Sequence, residues 1–184
     1  MQPQLQSIVA SLESQRVHLH DLAAKVSADR WSKRADPNRW SVGECVVHLN
    51  LTSQAYLPLI RAALAATPAV QSSHSYRRDL TGFLLGYAVG PMPRSLRRAI
   101  RFRTTAGFVP KAQTPRDTAV ADFDRLQSEI VALTRDCEGR AVDRIRINSP
   151  FDARAKYSVY SALVLLPRHQ ERHLIQADEV WSAR

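Results

Sequence analysis

Apolar residues recur at three- and four-residue steps in four separate stretches of this chain, and almost nothing alternates in the two-residue rhythm of a half-buried strand. The first stretch covers about Pro3 to Ser27, where Leu5, Ile8, Val9, Leu12, Leu19, Leu22, Ala23 and Val26 fall at helical spacing. A polar link, "ADRWSKRADPNRW", follows, with turn chemistry at Asp36-Pro37-Asn38. The second helix announces its start: Ser41 with Glu44 three residues on is a capping box, in which hydroxyl and carboxylate each take a free backbone N–H. Its apolar face is Val42, Cys45, Val46, Leu49, Tyr56 and Leu59, and Pro58 predicts a kink.

The third helix opens at Thr114-Pro115, an N-cap followed by proline at the first helical position, with Asp117 in the first turn. It runs through Val120, Phe123, Leu126, Ile130 and Leu133 to Gly139. The fourth starts near Tyr157 and reaches Trp181, with a bend expected at Pro167. Between the second and third helices lie 46 residues, Pro68 to Gln113, too many for a bare loop in a compact domain, so short helical pieces are expected there. Four amphipathic helices with one long excursion predict an all-α fold, a four-helix bundle formed by residues 1–184 as a single domain.

One stretch breaks the pattern. In "LPRHQERHLIQADEVW", Leu166 to Trp181, positions Ala162, Leu166, His169, His173, Gln176 and Val180 share one helical face. Two imidazoles therefore occupy positions where a core helix places leucines. Residues i and i+4 lie one above the other, so both rings can reach one metal ion. A zincin-type site is excluded, because Gln170 stands where the glutamate base would follow the first histidine, and Glu171 lies about 200° around the helix from it. A third ligand is available in His48, within "WSVGECVVHLNL" on the semi-buried side of the second helix. Three inward-facing neutral imidazoles on two helices make an open tri-histidine site with room for water or substrate. His18 and His20 point to opposite sides of the first helix and cannot pair, and His74 falls in the irregular segment.

"WSVGECVVHL", "NSPF" at Asn148 to Phe151, and "HQERHLIQ" together resemble the DinB-like (YfiT-type) metalloprotein superfamily, over nearly the whole chain. The resemblance implies a four-helix bundle holding one divalent ion, nickel or zinc, on His48, His169 and His173. It also implies thiol chemistry, since the superfamily includes S-transferases and isomerases that use low-molecular-weight thiols. A small-molecule thiol or electrophile is then the expected substrate and a homodimer the expected assembly. Arg172 and Gln176 match the terminal motif and are read as orienting an imidazole. Glu44, one turn before His48, is a weaker candidate of the same kind, and Cys45 is kept outside the ligand set as a small buried hydrophobe.

The composition narrows the setting. With 45% hydrophobic and 23% charged residues the chain has the make-up of a folded globular protein. Two cysteines, Cys45 and Cys137, offer no disulfide framework, and the N-terminal stretch lacks a signal-peptide pattern. The longest apolar run, Gly82 to Pro93, is too short to span a bilayer, and a cytoplasmic protein is expected. The net charge of +9 is mostly arginine, concentrated in "RSLRRAIRFR". Arg97, Arg98 and Arg101, with Arg94, form a solvated face, an anion-receiving lip over the metal site, or a contact for acidic lipid or nucleic acid. No helix-turn-helix or aromatic-bearing sheet supports sequence-specific nucleic-acid binding. Two functions remain open. One is a metal-dependent transferase or hydrolase. The other is a non-catalytic metal-binding module for dimerisation or stress-related interaction.

Overall fold

The computed structural model describes residues 1–67, 75–91, 104–111 and 113–183. The helices among the described residues are α1 (Pro3–Lys25), α2 (Ala28–Trp31), α3 (Val42–Ala66), α4 (Leu80–Val89), α5 (Arg116–Asp136) and α6 (Val159–Ser182). A single 3₁₀ turn spans Ala106–Phe108, and two three-residue strands, β1 (Arg146–Asn148) and β2 (Lys156–Ser158), precede α6. The arginine stretch 94–103 lies outside the described residues, and so does His74.

The four long helices form the bundle that the periodicity predicts. Helices α1 and α3 each pack against both α5 and α6, so α1 and α3 face one another across a diagonal. Leu5, Leu12, Tyr56, Ile60, Ile130, Leu163 and Leu166 fill one end of the core, and Leu19, Val46, Leu49, Phe123, Leu174 and Val180 fill the other. Burial of these side chains, about 1.5–3 kcal/mol each, drives the association. Between the two apolar blocks runs a polar seam. The Gln127 amide nitrogen donates to the Leu12 carbonyl at 2.6 Å, and Gln127 and Gln170 exchange reciprocal hydrogen bonds at 3.0 and 2.8 Å. These bonds join α1, α5 and α6 at one level, because any slip between them would leave buried amides unpaired.

Local departures from the expected elements have local causes. The polar link contains a turn of helix, α2, whose Trp31 is completely buried and whose indole N–H donates to the Thr114 carbonyl at 3.3 Å. Helix α5 is capped by Pro115 and starts at Arg116, one residue after the expected start. It stops at Asp136, and Gly139 (φ 72°) turns the chain in the left-handed region open to glycine. Pro58 and Pro167 both lie inside helices that continue past them. The β1–β2 pair is antiparallel, with Arg146 opposite Ser158 and Ile147 opposite Tyr157. The "NSPF" stretch forms the bend between its strands, and Ser158 then caps α6 by accepting from the Ser161 N–H.

The excursion contributes the helical pieces expected of it. Asp79 accepts from the Gly82 N–H to cap α4, and from the Ser158 N–H and the Ser161 hydroxyl at 2.8 and 2.9 Å. The start of α4 is thereby fixed to the start of α6. Further along, Arg168 donates to the Gly86 carbonyl and Arg172 to the Ala88 carbonyl, which suits the negative end of the α4 dipole.

Gly43 marks the tightest joint at the head of α3. A Cβ there would sit 2.5 Å from the Trp31 indole nitrogen and 2.8 Å from its neighbouring carbon. Gly43→Ala is therefore expected to destabilise the protein by about 1–3 kcal/mol, the usual cost of overpacking, read as a lower urea midpoint with unchanged slope. An unchanged midpoint would mean that Trp31 is not anchored as described.

Candidate metal centre

His48 lies in the second turn of α3, where the capping box sets the helix phase. The Ser41 hydroxyl accepts from the Glu44 N–H, and the Glu44 carboxylate accepts from the Ser41 N–H. That phase buries Val42, Cys45, Val46 and Leu49 and carries His48 into the interface with α6. On α6, Leu163, Leu166, Leu174 and Ala177 bury the surrounding turns and bring His169 and His173 toward His48. His48 and His169 are buried, and His173 keeps partial exposure.

The three rings converge. One ligand nitrogen from each lies within 4.8 Å of the other two. Ring centroids are 5.1 Å apart for His48 and His169, and 4.6 Å for each ring with His173. The Nε2 atoms of His48 and His169 stand 3.3 Å apart. A tetrahedral ion with metal–nitrogen distances of about 2.1 Å holds its ligand nitrogens about 3.4 Å apart. The spacing of that pair therefore already suits a shared ion.

Hydrogen bonding assigns the free lone pairs. His48 Nδ1 is 2.8 Å from the Phe108 carbonyl oxygen, which can only accept, so Nδ1 carries the proton and Nε2 presents a lone pair. His173 Nδ1 lies 3.1 Å from Gln176 Oε1, with the same consequence. His169 differs: its buried Nδ1 has no hydrogen-bond partner, and its Nε2 faces His48 Nε2. Two lone pairs cannot bond one another, so the metal-free state needs an Nε2 proton on His169 between them. A cation satisfies all three nitrogens at once, and on these grounds the residues fit a divalent ion.

Electrostatics work against protonation. Burial lowers the pKa of His48, opposed by the Phe108 carbonyl and assisted by the charge of Arg172. His169 is held well below the ordinary imidazole value by burial and then by His48 and Arg172. His173 is likewise held well below it, by burial, then His169, His48 and Arg172, against the bond from Gln176. Aromatic rings close the sides. Trp40 lies 4.8 Å from His48 and stacks 5.9 Å from His173, while Phe151, packed on Phe108, stands 6.1 Å from His169.

The remaining sequence candidates divide. Gln176 touches His173 directly. Arg172 binds a carbonyl of α4 and acts on the three rings through its charge. Glu44 is occupied elsewhere, held by the Ser41 N–H and by a two-pronged contact with Arg34. Cys45 is not in the converging group, and burial pushes its thiol up to about 12. His18 pairs with Asp178 and His20 with Asp124, both away from the cluster. Arg97, Arg98 and Arg101 lie outside the described residues. Sequence reasoning did not find Phe108, whose contribution is a carbonyl that every residue type possesses. Nor did it single out Trp40 and Phe151, although both stand within the motifs that carried the resemblance.

A family model described as the DinB superfamily matches residues 11–177, which include α3, α6 as far as Ala177 and all three histidines. No curated protein and no solved structure matches the chain.

The depressed imidazole pKa values make the metal-free fold acid-sensitive. Unfolded histidines titrate near ~6.5, above their folded values, so below that pH the unfolded chain binds more protons. The stability from the neutral cluster is thus full above about pH 6.5 and falls as the pH drops toward the folded values. Urea midpoints of metal-free protein should decline from pH 7.5 to 5.5. The decline should be smaller in the His48→Gln/His169→Leu/His173→Leu variant, and equal declines would refute the burial of neutral rings.

Proposed function

The chain belongs to the DinB superfamily, and from that premise we propose that it is a divalent-metal protein whose His48, His169 and His173 hold one ion. The observation that supports this best is the pair of backed imidazoles. Phe108 and Gln176 fix the Nδ1 protons of His48 and His173, so both Nε2 lone pairs are free on the side of the cluster. Nickel or zinc suits a set of neutral imidazoles. Such an ion, when bound, supplies a Lewis acid that lowers the pKa of water or a thiol and gives a nucleophile at neutral pH.

The protein's own groups prepare that chemistry. Phe108 and Gln176 orient two ligands and raise their basicity. Trp40, Phe108 and Phe151 restrict water around the rings and lower the local dielectric. Burial and the neighbouring rings keep the cluster unprotonated, and Arg172 adds to this while supplying positive potential for an anionic reactant. The reading is a cytoplasmic enzyme that transfers a low-molecular-weight thiol to an electrophile, or hydrolyses a small substrate. Turnover of a panel of thiols with electrophiles, measured with added metal and with chelator, tests it. Metal-dependent turnover supports the enzyme.

One observation favours a second reading. Among the described residues no carboxylate joins the three imidazoles, and Glu44 is committed to Arg34 and the helix cap. A metal-binding module without catalysis needs no base, and full metal occupancy with no turnover across the panel would support that reading.

Metal stoichiometry follows from either reading. One equivalent of nickel or zinc should bind per chain, and His48→Ala, His169→Ala and His173→Ala should each abolish tight binding, as read by elemental analysis after desalting. Full retention in any single variant would exclude that residue as a ligand. Gln176→Leu should keep the ion but weaken it about 10- to 100-fold in a competition titration with a chelating dye.

Protons compete with the ion for the same nitrogens, so metal-supplied stability should be present at pH 7.5 and shrink toward pH 5. Thermal melts of holo and chelated protein across that range should converge on acidification. A constant gap would sever the stabilisation from the histidines.

A further inference from the structure

Helix α4 turns an apolar stripe to solvent. Leu80, Phe83, Leu84 and Tyr87 recur at three- and four-residue steps, and they are 74%, 50%, 57% and 68% exposed. Its other face is spent on the bundle: Gly82 and Gly86 are buried, and Leu85 and Val89 pack against the core. A helix with both faces apolar is normally covered on both, and exposed apolar residues in one contiguous row mark a contact surface. At ten residues α4 is far too short to cross a bilayer.

The side chains that lead into the stripe are basic, with Asp143 accepting from the Arg77 N–H at 3.4 Å beside them. Exposed Arg77 and Arg78 lead into α4, and the Arg78 guanidinium lies 4.9 Å from the Phe83 ring centre, at the border of the stripe. The acidic residue at the helix start, Asp79, is turned inward to Ser158 and Ser161 and lies 3.6 Å from Arg146. From Leu80 to Arg116 the sequence holds seven basic residues and no acidic one.

We propose that the exposed face of α4 is a docking surface for an anionic phospholipid bilayer. The helix would lie in the headgroup plane, with Leu80, Phe83 and Leu84 in the acyl boundary, Tyr87 at the interface and Arg77 and Arg78 on lipid phosphates. Short apolar insertion and electrostatic attraction are each weak alone and bind stably together. A second copy of the chain fits the same face poorly. Helix α4 of a second copy carries no acidic residue from Leu80 to Val89 to receive Arg77 and Arg78, whereas an anionic surface complements them.

Co-sedimentation of the full chain with phosphatidylglycerol–phosphatidylcholine vesicles, against phosphatidylcholine vesicles alone, tests this surface. Binding should require the anionic lipid, weaken in 0.5 M salt as on the order of a Debye length of ~4 Å implies, and fall at least about tenfold in Leu84→Asp and in Phe83→Ser. Both side chains are exposed, so both variants should keep the wild-type circular dichroism and metal content; two substitutions guard against one misfolding. Three results would overturn the proposal. They are no binding to anionic vesicles, binding that both variants leave within about twofold, and a lipid-free dimer in sedimentation velocity that both variants dissolve.

Discussion

Three imidazoles share a volume in which none of them can readily take a second proton. His169 is the extreme case, buried, flanked by His48 and near Arg172, with an Nδ1 that reaches no partner. An apolar side chain there would give a simpler core, because a buried unpaired polar atom costs about 1–3 kcal/mol. The protein carries this cost near the centre of α6. Much of the surrounding structure can be understood as what keeps the three rings together in neutral form. The capping box sets the phase of α3, the leucines of α6 set its rotation, and the Gln127–Gln170 pair sets its level against α1 and α5.

The excursion belongs to that arrangement. It would be natural to regard residues between α3 and α5 as an appendage to a finished bundle. Yet the acceptor for His48 Nδ1 is the Phe108 carbonyl, which comes from its far end, and the Phe108 ring packs on Phe151 beside His169. Helix α4, from its near end, binds Arg168 and Arg172 on the helix that carries the other two histidines. The excursion thus touches the cluster from two directions, once through a hydrogen bond and once through a charge held in place.

What could be read from the sequence follows from how far each signal reaches. The four long helices were legible because each repeats its apolar stripe over five or more turns, and Ser41 with Glu44 located the start of α3 correctly. His169 and His173 stood out because they interrupt such a stripe, and their placement beside His48 follows once α3 and α6 pack. The β1–β2 pair escaped notice because three residues per strand cannot establish an alternation. Helix α2 was hidden by its polar residues, its one buried side chain being Trp31. The Phe108 carbonyl could not be seen at all, since backbone acceptors have no sequence signature and this one lies 60 residues from its partner.

The tautomers carry the last step. A neutral histidine has one proton and one lone pair, so whichever group claims the proton decides what the ring offers. In His48 and His173 that group is fixed by the protein, and the lone pairs are aimed before any ion arrives. In His169 it is not fixed: the Nε2 proton that bridges to His48 must leave, or move to an Nδ1 without an acceptor, before that nitrogen can bind a cation. Binding of an ion by all three rings would therefore require a proton rearrangement at one ring and not at the other two. Two rings would then offer their lone pairs as folded, and the third only after its proton has moved. His169, buried and without a partner at Nδ1, is the ring on which such an assembly would turn.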